Sequence, residues 1–317
     1  MRPFDDGDYP RYVEVTNLSY PDLTWTVEEE RHWHATWDHA RYTLVRVVAE
    51  VDGWIAGIGR INHIPDEFHP HKYYLEVAVD PAVRRRGIGS ALYEWLLSDL
   101  RARGAIAARA GVHRETEGES IAFLLRRGFK EIQRGWQLRL NVAAFSFDGF
   151  AGAEGRVADH RIAVTTLAAE CARDPDALRK AYALCMACER DMPSAYPVTE
   201  TPFEQFLTHT LESPNAAPEA YFLAKNGDLY VGMSTMYRPV AEPGVLYQGL
   251  TGVLREYRGR GIAMALKLQT IRFAGEQGYR EIRTWNDVRN RPMLGINEAL
   301  GFVKQPASIN YEKSLVP

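Results

Sequence analysis

Cysteine is scarce in this chain: Cys171, Cys185 and Cys188 are the three in 317 residues. An odd count spread over a long chain is no disulfide framework, and a reducing compartment is the expected home. Cys185 and Cys188 form a C-x-x-C, but it lies inside the helical pattern "DALRKAYALCMACERDM" with no second pair or neighbouring histidine to finish a zinc site. Buried core is the expectation for both. His32, His34 and His39 in "RHWHATWDHA" lack a carboxylate or cysteine arrangement to complete a metal site, so no metal is expected. Long apolar runs are missing too. No window of about 18 apolar residues exists for a membrane span, and "MRPFDDGDYP" has no apolar core for a signal peptide, so a cytoplasmic protein without a membrane partner is expected. Nor does one sign of charge dominate. With 38 Lys+Arg against 41 Asp+Glu the net charge is −3, so any polyanion site must be local. No nucleic acid partner is expected, because no aromatic-interleaved basic surface accompanies the Arg84-Arg85-Arg86 run.

What is present is ordinary globular material, 46% hydrophobic and 25% charged, in a length that suggests two domains. The domains are written as a repeat. Gly87, Gly104 and Gly128 match Gly261, Gly278 and Gly301 at nearly equal spacing, and the last of each set precedes a phenylalanine, Phe129 or Phe302. Upstream, "EVDGWIAGIG" and "KNGDLYVGMS" each place Asp-Gly or Asn-Gly between apolar runs, the hairpin signal. Further up, "MRPF" and "HRIAVTTL" read as strands leading to helical stretches at Tyr9–Leu18 and Ala177–Arg190. The Gly- and Ala-rich stretch "NVAAFSFDGFAGAEGRVAD" belongs to neither copy. The expected division is a first domain over 1–142, a linker over 143–159 and a second domain over 160–317.

Each copy runs from a strand, "YYLEVAVD" or "LYQGLTGVL", through a glycine loop rich in arginine and into a helix. Ile88, Ala91, Leu92, Trp95, Leu96 and Leu100 make one apolar helix face; in the second copy Leu268 and Ile271 widen the stripe. Strand, glycine turn and helix start together expose backbone N–H groups at the positive end of a helix dipole, a setting for an anion. Arginines add bidentate phosphate contacts. The loop is not a P-loop, since no G-x-x-x-x-G-K-[ST] occurs, and the third glycine of a dinucleotide fingerprint is missing.

Arg84-Arg85-Arg86-Gly87-Ile88-Gly89 and Arg258-Gly259-Arg260-Gly261-Ile262-Ala263 resemble the pyrophosphate loop of the GNAT superfamily of N-acetyltransferases. The Gly-Phe pairs are similar to that family's last motif. "TWNDVRNRPMLGINEALGF" resembles a tandem-domain subgroup that includes mycothiol synthase. The resemblance implies an α/β (α+β) fold of two tandem domains, each a mixed, mostly antiparallel sheet flanked by helices. It implies acetyl-CoA as co-substrate. The implied contacts are Arg84, Arg85, Arg86, Gly87, Gly89 and Ser90 in the first loop, and Arg258, Arg260, Gly261 and Ala263 in the second. Main-chain groups of Val77, Val79, Thr251 and Val253 would pair with the pantetheine arm as an added strand does.

For catalysis the resemblance assigns Glu76 as general base, directly or through water. Alternation in "LEVAVD" leaves a solvent-facing strand residue as the other reading. The family's tyrosine acid falls on Leu124 and its CoA-contacting asparagine on Glu117. In the second copy Leu250 stands at the place of Glu76, Asn290 at the CoA-contacting asparagine and Asn297 at the tyrosine. Asn286 and Asn290 are candidate cofactor contacts, and each asparagine also suits a cap or turn. Tyr196, Thr199 and Glu200 are candidates for an acceptor pocket, whereas His63, His69 and His71 read as a solvated loop.

The function so implied is transfer of an acetyl group from acetyl-CoA to a primary amine of a small molecule, by a monomer or homodimer. The alternative is a degenerate acyl-CoA-binding protein with one active domain or none. An aminoacyl transferase using charged tRNA is disfavoured by the intact loops and the acidic balance.

Overall fold

The computed structural model describes residues 1–316. In chain order the elements are β1 (Arg2–Pro3), α1 (Tyr9–Ser19), α2 (Val27–Ala35), β2 (Leu44–Val51), β3 (Trp54–Asn62), β4 (Lys72–Val79), α3 (Ile88–Ala102), β5 (Ala107–Val112), α4 (Gly118–Leu125) and β6 (Lys130–Asn141). There follow α5 (Ala153–Asp159), β7 (Ile162–Thr166), α6 (Leu167–Cys171), α7 (Ala177–Glu189), α8 (Phe203–Leu207), β8 (Phe222–Asn226), β9 (Leu229–Tyr237) and β10 (Val245–Val253). The last are α9 (Ile262–Glu276), β11 (Glu281–Asp287), α10 (Arg291–Ala299) and β12 (Val303–Ser314). The two halves repeat the same order, as the glycine spacing requires.

The chain forms two units whose boundaries differ from those read in the sequence. The first comprises Met1–Arg134, Ala195–Thr199 and Pro306–Pro317, and the second Gly135–Ser194 and Glu200–Gln305. In the first unit β1 to β4 pair antiparallel in sequence order, β4 and β5 pair parallel, and β5 pairs antiparallel with Ile309–Ser314 of β12. In the second, β7 to β10 pair antiparallel, β10 and β11 parallel, and β11 antiparallel with Gly135–Asn141 of β6. Each unit therefore takes into its pairing a strand drawn from the other half of the sequence. Nothing local marks that exchange, because β6 and β12 occupy equivalent places in the repeat and pairing partners are set by long-range contacts. The stretch read as a linker is structured as well: Ala153 and Val157 of α5 are buried in the second unit's core.

The turn chemistry acts as read. Asp52 and Gly53, at φ 52° and 76°, close the β2–β3 hairpin, and Gly227 at φ 60° closes β8–β9. Each sheet carries helices on both faces. In the first unit Leu92, Leu96 and Leu100 of α3 pack on Val47, Ile61 and Leu75, while Tyr12 and Val15 of α1 pack on Val48, Ile58 and Ala78. In the second, Ile262 and Leu266 of α9 pack on Val231, Leu246 and Ile282, and Leu184, Cys185 and Cys188 of α7 pack on Leu223 and Met233. The two cysteines of the C-x-x-C are thus core side chains. The broader apolar stripe of α9 is explained by α5, which gives that helix a second covered side. Among the described residues no helix is long and apolar enough to cross a membrane.

A polar cluster lies inside this second core. Lys267 of α9 is 1% exposed and donates its Nζ to Gln248 Oε1 at 2.5 Å. Gln248 Nε2 in turn donates to Ser234 Oγ at 2.9 Å and Thr270 Oγ1 at 3.1 Å. Desolvation drives the Lys267 ammonium down to about 7 from the usual 10.5. A depressed lysine binds fewer protons folded than unfolded between those values, so stability rises with pH across that window and the burial cost is fully present below pH 7. From pH 6 to pH 10.5 the wild-type chain should gain stability relative to Lys267→Met by a few kcal/mol, bounded by about 5. Denaturant midpoints of the two proteins across that range would check it, and parallel pH profiles would refute it.

Candidate active site

Both glycine loops have the same backbone. After β4 the chain turns through Pro81–Val83, Arg84 Nε donates to Val79 O at 3.0 Å, Arg85 and Gly87 take φ 65° and 85°, and α3 begins at Ile88. After β10 it turns through Arg255–Tyr257, Arg258 Nε donates to Val253 O at 3.0 Å, Gly259 and Gly261 take φ 76° and 79°, and α9 begins at Ile262. Gly87 and Gly261 supply a left-handed conformation that other residues reach only with strain. Neither helix start is capped by a side chain, and its first intrahelical bonds run from Ala91 N to Gly87 O and from Ala265 N to Gly261 O. The N–H groups of Ile88, Gly89 and Ser90, and of Ile262, Ala263 and Met264, are therefore outside the helical ladder, as a diphosphate would require.

In the first unit this loop opens into a cavity of about 480 Å³. Its walls include Val77 and Val79 of β4, Arg84, Arg85 and the stretch from Gly87 to Ser90 of the loop, Phe123 and Arg127, together with Glu76, Tyr74 and Tyr20. The space exists because β4 and β5 stop pairing. Their parallel register runs from Lys72 opposite Ala107 only to Tyr74 opposite Arg109. Asp80 N donates to Ala56 O of β3, so strand alternation turns the main-chain groups of Val77 and Val79 toward the opened side. Leu254 N donates to Val231 O of β9, which does the same for Thr251 and Val253 in the second unit.

Glu76 is not solvent-facing. Its side chain is 9% exposed and its Oε2 pairs at 2.6 Å with Arg60, its cross-strand neighbour on β3. Tyr20, at the end of α1, hydrogen-bonds to Glu76; burial first, and then the carboxylate, push its phenol well above the usual range. Burial pushes Tyr74 up to about 12, so both phenols keep their protons at neutral pH. The Tyr74 hydroxyl fills the space beside Gly111, where a Cβ would meet it at 2.6 Å. The ring of His113 lies 4.2 Å from that of Tyr20, and burial pulls its imidazole down toward the neutral form. Burial alone would lower the Arg60 guanidinium, yet Glu76, Tyr12 and Glu30 hold it above its ordinary value.

Tyr20, Tyr74, Arg60, His113 and Arg127 were not found by sequence reading. Tyr74 carried a usable signal, since it shares the strand parity of Glu76. The others come from distant elements. Arg127 stacks 3.5 Å over Phe123 and donates to Ser90 Oγ at 2.9 Å, tying α4 to the loop. Arg85 sits in a loose 3.9 Å pair with Glu119, and Arg86 is exposed.

The second unit places its candidates differently. Leu250 packs with the apolar side chains of α7. Asn297 is fully buried, with Nδ2 donating to Asn286 Oδ1 at 2.6 Å. Asn290 caps α10, its Oδ1 accepting from Met293 N at 3.3 Å. Arg260 Nη2 donates to Glu256 O at 3.0 Å. The acceptor candidates of the α7–α8 connection do not line the cavity. In the first unit Tyr196 lies over Arg109 at 3.4 Å and hydrogen-bonds to Glu312, and Thr199 Oγ1 accepts from Phe68 N. In the second, Glu200 pairs with Arg190. Among the described residues no group of three or more His, Cys, Asp and Glu is placed to hold a metal ion.

The sequence model of the Acetyltransferase (GNAT) family matches residues 12–129 and 179–302. The mycothiol acetyltransferase of Actinosynnema mirum is 25% identical over 84% of this chain and 82% of its own. That of Pseudarthrobacter chlorophenolicus is 23% identical over 86% and 81%. A tandem GNAT protein from the clavulanic acid biosynthesis pathway shares the fold with a TM-score of 0.75 at 19% identity, over 99% of this chain and 98% of that one. A GCN5-related N-acetyltransferase from Sphaerobacter thermophilus gives 0.70 at 20%, over 100% and 95%.

Removing one member of the buried Arg60–Glu76 pair strands the other charge. Arg60→Met should destabilise the chain by about 3–5 kcal/mol, and adding Glu76→Leu should recover most of the loss. A double-mutant denaturation cycle with additive costs would contradict this coupling.

Proposed function

Since the chain belongs to the Acetyltransferase (GNAT) family, we propose that it moves the acetyl group of acetyl-CoA directly to a primary amine of a small molecule, and that the first unit does so. The observation that carries the reading is that Glu76 and the loop from Gly87 to Ser90 line one cavity, whereas Leu250 holds the matching place in the second unit. Relatives named as mycothiol acetyltransferases support acetyl as the group transferred.

The loop N–H groups of Ile88, Gly89 and Ser90, with Arg84 and Arg127 beside them, would hold the diphosphate. Val77 and Val79 would offer main-chain groups to the pantetheine arm, and an N–H there would stabilise negative charge developing on the carbonyl oxygen. When bound, acetyl-CoA supplies the activated thioester carbonyl. An alkylamine is protonated near neutrality, so it must lose a proton before it attacks. Glu76 would attract the ammonium and take that proton, directly or through water. Arg60 would keep the carboxylate in place, and the Tyr20 and Tyr74 phenols would offer hydrogen bonds to the departing thiolate.

In the second unit the reading keeps Thr251, Val253, Gly261, Ala263, Arg258 and Arg260 as cofactor contacts. Asn286 and Asn297, through their mutual bond, and Asn290, through the α10 cap, would position the cofactor-contacting elements there rather than move protons, because an amide is no useful acid. A non-catalytic acyl-CoA-binding protein is the second reading, favoured by Leu124 and Glu117 standing where the resemblance expects a tyrosine and an asparagine.

Thiol release from acetyl-CoA in the presence of a panel of primary amines separates the two. Glu76→Gln should lower kcat/KM by about 10²–10⁴, and Leu250→Glu should leave it near the wild-type value. Binding of acetyl-CoA with no amine-dependent release would favour the second reading.

A further inference from the structure

The two loops agree in backbone and differ in what their arginines touch. Arg84 and Arg258 make the same Nε bond to the last carbonyl of the preceding strand, at 3.0 Å in each unit, so each guanidinium leaves its strand in the same way. Arg84 then faces the cavity. Arg258 instead ends on Asp191, which lies just beyond α7, through an Nη2 bond to Oδ2. Arg255, at the repeat position of Pro81, adds Nε bonds at 2.9 Å to both Asp191 oxygens and a further Nη2 bond to Oδ1.

A carboxylate embraced by two guanidiniums occupies donors that would otherwise serve a diphosphate. The Asp191 side chain is 15% exposed, and hydrogen bonds from Arg255 and then Arg258 hold it down to about 2, so it stays charged through the neutral range. It is also firmly mounted. Cys188, three residues earlier, packs so closely on β10 that a Cβ on Gly252 would lie 2.5 Å from its own. In the first unit no carboxylate among the described residues is hydrogen-bonded to Arg84: the nearby Asp80 is held by Arg11 of the first helix, whose Nη2 meets it at 2.5 Å, and Arg85 has only its loose 3.9 Å pair with Glu119.

We infer that Asp191 is a built-in competitor for the diphosphate at the second loop and determines that the first loop takes the cofactor at lower concentration. The inference rests on the reading that both loops serve coenzyme A. A ligand at the second loop must exchange the Arg255 and Arg258 contacts with Asp191 for its own, and then sits beside a displaced negative charge. Asparagine at the same place keeps the shape and removes that charge.

Calorimetric titration with coenzyme A at fixed ionic strength tests this in the full chain. Gly87→Glu puts a carboxylate into the first loop and leaves the second to be measured alone. Adding Asp191→Asn should tighten the remaining site at least tenfold, and Asp191→Ser should act in the same direction if asparagine perturbs folding. In the otherwise unaltered chain Asp191→Asn should raise the fitted stoichiometry from one toward two. An affinity unchanged or weakened by both substitutions overturns the inference. No heat from the wild-type chain at any concentration instead overturns the coenzyme A reading itself, and the inference with it.

Discussion

In both units a strand delivers the chain into a glycine at positive φ, and the helix that follows begins with N–H groups that its own ladder does not use. That constraint organises what surrounds it. The glycine sets the direction of the helix, the helix buries its apolar face on the sheet, and the arginine after the strand is pinned to the last strand carbonyl. A polyanion suits such a turn, since orphan donors and a helix dipole point the same way. The parallel pair β4–β5 adds the second requirement by separating beyond Tyr74, which opens a path from the loop to Glu76.

One turn written twice has been put to two uses. In the first unit the opened strands lead to a buried carboxylate, two protonated phenols and a neutral imidazole around one ion pair. In the second, the corresponding strand position carries Leu250, the asparagines bond to one another or cap a helix, and the loop arginines are met by Asp191. The buried Lys267 belongs to that second core and is held through Gln248 rather than by a carboxylate among the described residues. The division of labour follows from side chains, since the backbones of the two loops agree.

Local features were legible in the sequence because local physics sets them. The Asp52-Gly53 turn, the loop glycines, α1 and α7 can be read from a few neighbouring residues. Glu76 could be placed on its strand, but Arg60 lies one strand away and Tyr20 fifty-six positions upstream, and no spacing rule joins them. The exchanged strands were hidden for the same reason, because β6 and β12 carry equivalent patterns and only the completed pairing shows which of them joins β5 and which joins β11. Asn290 was legible as two things, a cap and a contact, and the cap is the role its side chain performs in this structure.

The central claim is that the loop beside Glu76 is the one that serves chemistry. Isothermal titration of the wild-type chain with acetyl-CoA, repeated with Gly87→Glu and with Gly261→Glu, tests it without knowledge of the acceptor. The account predicts one tight site that Gly87→Glu abolishes and Gly261→Glu leaves intact. A tight site that survives Gly87→Glu and disappears with Gly261→Glu would contradict it.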